Sequence, residues 1–176
     1  MNMHVVTPDR TPNLGDPDYD EPRETLEGFT AYRARLGYQL GSERIGLSQW
    51  RLPAGQVAYP YHFHLAEEEL LVLLEGSLAL RTPAGWRRLE QGDVVRFPVG
   101  EEGAHQLVND TGDDAMFLAI STHGQPDVVI YPDEGKLCAA ERTPDGSGLK
   151  TYFMMDAHVP YDQGIARPEV PDVGAA

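Results

Sequence analysis

Two histidines one residue apart, His62 and His64, stand just before three consecutive acids, Glu67, Glu68 and Glu69. A third histidine, His105, follows the stretch Gly92-Asp-Val-Val-Arg-Phe-Pro98-Val-Gly100. Imidazoles with a carboxylate make a ligand set for a transition metal: neutral imidazole suits Mn, Fe, Co, Ni, Cu or Zn. In an extended segment residues i and i+2 point to one face, so Tyr61-His62-Phe63-His64-Leu65 aims both rings at one spot. The other ligands must come from elsewhere in the chain. By the same parity, Glu68 and Glu69 face opposite ways on a strand, so one of the two faces out.

The segment Gly55-Gln-Val-Ala-Tyr-Pro-Tyr-His62-Phe-His64-Leu-Ala-Glu-Glu-Glu69-Leu-Leu-Val-Leu-Leu-Glu-Gly76 resembles the first conserved motif of the cupin superfamily. Gly92 through Gly100, followed by Glu-Glu-Gly-Ala-His105-Gln-Leu-Val-Asn109, resembles the second. The likeness is clearest from about Arg44 to Ser121. It departs from the pattern in two loops, with six residues between Gly55 and His62 and a lengthened acidic stretch, Glu101-Glu102-Gly103-Ala104, before His105. The later segment Val129-Ile-Tyr-Pro-Asp-Glu-Gly-Lys136 resembles a feature of one group of small cupins.

The resemblance implies an all-β fold, a single cupin jelly-roll β-barrel (double-stranded β-helix), and a metal site made by His62, His64, Glu69 and His105. Glu69 is favoured over Glu68 because its distance from His64 and from Gly76 matches the family spacing. The cofactor implied is one divalent transition metal ion: Mn, Fe, Ni, Zn or Cu. Cupins with these motifs include dioxygenases, decarboxylases and isomerases. The expected function is therefore a metal-dependent enzyme acting on a small organic acid, keto compound, phenolic or sugar, with a non-enzymatic metal- or small-ligand-binding module as the alternative. No general base is identified by spacing; Glu68, Glu101, Glu102, Tyr59 and His123 are unranked candidates, and the catalytic residues are unknown.

At 176 residues the chain has the length of one domain with one substantial core. Its 18 Gly and 14 Pro, scattered between short apolar runs, suit many turns and little helix. Acids outnumber bases 28 to 14, which argues against a nucleic-acid partner, because a phosphate backbone is met by clustered Lys and Arg. The lone Cys138 can make no intrachain disulfide. Met1-Asn-Met-His lacks a basic segment followed by an apolar one, and no run reaches the length of a membrane span. These features predict a soluble cytoplasmic protein with no membrane contact.

Three regions are expected: residues 1–43, a Pro-rich N-terminal arm with a first strand or turn; 44–125, the barrel; and 126–176, a C-terminal extension packing on the barrel and ending in a flexible tail. Alternation of apolar and polar residues predicts a half-buried strand at 45–52. Further strands are predicted at 56–63, 68–74, 77–81, 86–89, 93–97, 105–109, 116–122 and 128–131, with a strand or packing segment at 150–155. Leu70 to Leu74 is apolar at every position, which requires cover on both faces of that strand and predicts a homodimer. Leu71 and Leu73 share the face of Glu69, so the cavity below the site should be apolar and hold only a small ligand.

The remaining polar and aromatic residues have ordinary structural readings. Glu67 is expected in a solvated loop, Tyr59 and Tyr61 as packing aromatics, and His123 in a turn or at the surface. Lys136 is expected in a solvated turn, Cys138 as a small buried hydrophobe, and His158 in the tail.

Overall fold

The computed structural model describes residues 11–20, 22, 26–141, 143 and 147–166; the expectations for residues 1–10 and for the tail from 167 lie outside these. Among the described residues, twelve strands are joined by one helical turn and two short 3₁₀ turns. They are β1 (Tyr32–Ala34), β2 (Gly46–Leu52), β3 (Phe63–His64), β4 (Glu69–Glu75), β5 (Ser77–Thr82), β6 (Gly85–Glu90), β7 (Val94–Phe97), β8 (Gln106–Val108), β9 (Ala115–Ser121), β10 (Asp127–Tyr131), β11 (Lys136–Ala140) and β12 (Lys150–Met154). The single helical turn, α1, spans Leu36–Gln39.

All pairings are antiparallel. One sheet runs β1-β2-β9-β4-β7; the others run β12-β11-β10-β3 and β6-β5-β8. The last two are joined by isolated bridges, Val57 to Val108 and His62 to His105, so the 57–64 segment stitches them into one face of a two-faced jelly roll. Between the faces lie Trp50, Leu52, Leu71, Leu73, Leu78, Leu80, Leu89, Leu107 and Phe117, with Trp50 and Phe117 stacked at 6.0 Å. Alternation along β4 sends Glu69, Leu71 and Leu73 to this interior, as the sequence pattern predicts.

Three elements differ from expectation. The strand predicted at 56–63 is regular only at Phe63–His64, because Pro60 has no amide proton to give a ladder. Lys136 opens a strand, β11, that the sequence reading did not anticipate; Tyr131 and Lys136 pair across the hairpin turn between β10 and β11. The outer face of β4 is partly open in the single chain, with Leu70 36% exposed and the neighbouring Val94 of β7 65% exposed.

Candidate metal centre

His62 and His105 face each other across a reciprocal pair of backbone hydrogen bonds, His62 N to His105 O at 3.1 Å and His105 N to His62 O at 2.9 Å. Such a pair fixes two backbones in register and brings the rings to 4.7 Å between centroids. His64, two residues along, has its ring 5.1 Å from His62. All three histidines are buried.

Each ring is held by its Nδ1. His62 donates to the Pro60 carbonyl at 3.0 Å, His105 to the Gly103 carbonyl at 2.9 Å, and His64 to the Asp127 carboxylate at 2.5 Å. A proton committed to Nδ1 leaves the Nε2 lone pair available, the tautomer a metal ligand needs. Two glycines make these ties possible. A Cβ at Gly103 would overlap the Pro98 carbonyl oxygen, and one at Gly124 would overlap that of Ala66. Bare backbone at these points lets the turn before β8 present the Gly103 carbonyl, and lets the chain entering β10 lie against Ala66, whose N–H donates to the second Asp127 oxygen at 3.1 Å.

Glu69 completes the cluster from the opposite sheet. Its Oε2 lies 3.4 Å from His64 Nε2 and 3.5 Å from His105 Nε2, and His62, Glu69 and His105 bring ligand atoms within 4.8 Å of one another. That oxygen is buried and accepts no hydrogen bond. A buried carboxylate oxygen without a donor carries a desolvation penalty that a cation would relieve. Three of the four residues expected as ligands, His62, Glu69 and His105, lie in one cluster, and His64 Nε2 approaches the same Glu69 oxygen from beside it. Their donor set, three imidazoles and one carboxylate, fits a divalent transition metal ion.

The electrostatics of the three rings differ. Burial lowers the proton affinity of His64, but the hydrogen bond to Asp127 and the charges of Glu69, Asp127 and Glu67 outweigh it, leaving its pKa above the usual 6.5. Burial dominates at His105 and holds its pKa below 6.5 despite Glu69 and the bond to Gly103. Phe97 stacks on His105 with centroids 3.7 Å apart and an interplanar angle of 7°. It also lines a separate surface pocket of about 410 Å³ with Thr82, Arg87 and Glu102.

Glu67 overturns its expected solvated placement: it is only 1% exposed and lies with His64 and Asp127 in a second cluster whose ligand atoms are within 4.8 Å. The turn between β3 and β4 folds inward there, which sequence parity cannot reveal. Glu68 faces out and pairs with Arg96 at 2.5 Å. Glu101 and Glu102 are exposed in a 3₁₀ turn, and His123 packs on Tyr38. Of the five candidate bases, Tyr59 is the one set against the centre, edge-on to His62 at 4.7 Å and to His105 at 5.6 Å, while it also packs on Trp50. Asn109 closes a turn, donating to the Leu52 and Asp113 carbonyls. Asp127 was missed by the sequence reading; it is one acid among many, 63 residues from His64.

Residues 48–121 match the family model of the cupin domain. That stretch is a cupin domain. A sugar phosphate isomerase of the cupin superfamily from Silicibacter pomeroyi superposes with a TM-score of 0.72 at 24% identity, covering 88% of this chain and 99% of its own. A provisionally named sugar phosphate isomerase from Acidithiobacillus ferrooxidans gives 0.69 at 24% identity, covering 84% and 89%. A predicted oxalate decarboxylase from Thermotoga maritima gives 0.54 at 20% identity, covering 64% and 98%. At these identities the likeness is one of fold. No curated protein matches the sequence. Among the described residues, no helix is long and apolar enough to cross a membrane.

Proposed function

We propose that this cupin binds one divalent transition metal ion through His62, His64, Glu69 and His105, and acts as a metal-dependent enzyme on a small organic acid, keto compound or sugar. The observation that carries the reading is the Glu69 Oε2 atom, buried without a hydrogen-bond donor and facing two imidazole nitrogens whose rings are tied back through Nδ1. A metal held there would polarise a carbonyl or carboxylate oxygen, or support oxygen chemistry if it is redox-active. The chain's own part is to orient the four donors, keep them dry, and place the Tyr59 ring beside the reacting group. The names of the fold relatives, sugar phosphate isomerase and oxalate decarboxylase, concern small anionic substrates and suit such a site, without choosing its reaction.

The test is metal content of the untagged protein by mass spectrometry, beside a His62→Ala/His64→Ala double variant. About one equivalent of Mn, Fe, Ni, Zn or Cu in the wild type, lost in the variant, is the expected result. No metal after reconstitution would sink the four-ligand site. Turnover of an acid or sugar by the loaded protein marks an enzyme; a ligand held unchanged marks a binding module.

We also propose a homodimer. The exposed outer face of β4 and β7 is one support. The other is the C-terminal stretch, where Leu149, Tyr152, Phe153, Met154, Met155, Val159, Tyr161 and Ile165 are all about half exposed or more. At roughly 100 Å² each they approach the ~800 Å² per partner of a standard stable interface. The acidic composition supports a protein without a nucleic-acid partner.

A further inference from the structure

The Val129–Lys136 segment has a place in the fold that the metal centre alone does not explain. Asp127, Val129 and Tyr131 share one face of β10. Asp127 grips His64 and Val129 is buried, so this is the inward face. Tyr131, next in the row, lays its ring near-parallel to His62, centroids 6.0 Å apart at 24°. Lys136 is the register partner of Tyr131, and cross-strand partners share a face. Its Nζ stands 4.9 Å from the Tyr131 ring centre and 5.7 Å from that of Tyr152, the two rings being 6.3 Å apart. A cation is thus seated on an aromatic shelf that begins at a histidine of the metal centre.

Acids outnumber bases two to one in this chain, yet Lys136 shares with Arg44, Arg87 and Lys150 the lack of an ion pair among the described residues. Arg35, Arg51, Arg81, Arg88 and Arg96 each hold a carboxylate, while among the described residues no carboxylate oxygen lies within 4.0 Å of Lys136 Nζ. Of the two acids in the turn before it, Asp133 is engaged by two Arg81 nitrogens at 2.5 and 3.0 Å, and the charge of Glu134 also acts on Arg81. Lys136 is half-buried, and aromatic faces satisfy an ammonium's charge in part while using none of its N–H groups in hydrogen bonds to oxygen.

We propose that Lys136, seated on Tyr131 and Tyr152, docks the anionic end of a small bifunctional substrate whose other end reaches the metal. The substrate class is a hydroxy acid, keto acid or sugar bearing a second anionic group, carboxylate or phosphate. This rests on the metal reading above. Tyr131 sets the spacing between the two ends, and Lys136 selects for the second charge.

The test uses full-length protein reconstituted with zinc and three probes, glycerate, malate and 3-phosphoglycerate, titrated calorimetrically at low ionic strength. In the wild type at least one of the two doubly anionic probes should bind roughly tenfold tighter than glycerate, the worth of one charge-assisted hydrogen bond. Whether malate or 3-phosphoglycerate gains more tells carboxylate from phosphate. Lys136→Met should bring all three within about twofold while leaving glycerate affinity and zinc content unchanged, and Lys136→Arg should restore part of the preference. A wild type without the preference, or a Lys136→Met protein that keeps it, overturns the assignment. Glycerate binding that survives chelation of the zinc overturns the metal reading separately, and the dependence of the preference on Lys136 still decides this one.

Discussion

The His64 end and the β12 end of one sheet are built on opposite terms. At the first, the histidines are buried and tied: Asp127 accepts hydrogen bonds from the His64 ring N–H and the Ala66 N–H, and the adjoining bridge locks His62 to His105. At the second, Phe153 is 52% exposed on an edge strand with no further neighbour among the described residues, and Tyr161, in a turn beyond that strand, is 94% exposed. One end is desolvated and left with a carboxylate oxygen that lacks a donor, a penalty that a cation would relieve. The other keeps apolar area and an unpaired edge in water, the state of a surface awaiting a protein. Incomplete polar satisfaction inside and incomplete apolar cover outside therefore point to different kinds of ligand.

The largest effect that would break this contrast is at the buried end. His62→Ala/His64→Ala should take bound metal from about one equivalent to near none. Asp127→Asn comes next. The two N–H groups of His64 and Ala66 use different carboxylate oxygens, so with asparagine one of them faces an NH₂ donor and the tautomer of His64 is no longer fixed. Metal affinity, measured by chelator competition, should fall about 10- to 100-fold. Unchanged affinity would show that Asp127 does not orient His64.

At the exposed end, Phe153→Asp/Met155→Asp should convert a dimer to a monomer near 19.4 kDa by light scattering, with metal content retained. A wild type that is already monomeric would remove the contrast. A variant that stays dimeric would move the interface to the β4 and β7 face.

The smallest expected effect is a pH dependence of the metal-free protein. The folded pKa of His64 stands above its unfolded value of about 6.5. The stability it contributes is therefore complete below about pH 6.5 and is lost as pH rises through the folded value. The Tm deficit of Asp127→Asn relative to the wild type should accordingly be larger at pH 6 than at pH 9. His105 shifts in the opposite sense and is present in both proteins. Equal deficits at the two pH values would mean that Asp127 stabilises the fold without favouring the charged form of His64.

Much of this arrangement is legible in the chain. The apolar run at Leu70–Leu74 places the strand that starts at Glu69, parity puts Glu69, Leu71 and Leu73 on one face, and the family spacing chooses Glu69 over Glu68, which turns outward to Arg96. The His-x-His spacing and the position of His105 just ahead of an apolar strand bring three rings to one face. Those are local facts, set by side-chain period and turn residues within a few positions.

Asp127, Glu67 and Lys136 obey no such local rule. Asp127 acquires its role because β10 pairs with β3 from 63 residues away, and only that pairing distinguishes it from the chain's other acids. Glu67 is buried because a loop turns in where its composition reads as solvated, and Lys136 joins the row above His62 because of its register with Tyr131. Most of the strands, their inward faces and the donor types at the centre were legible in the chain, since these follow from local side-chain pattern, while β11 and the shortening of β3 were not. Tertiary structure alone decided which acid holds which histidine and which cation stands beside them, since non-local pairing is what places those groups.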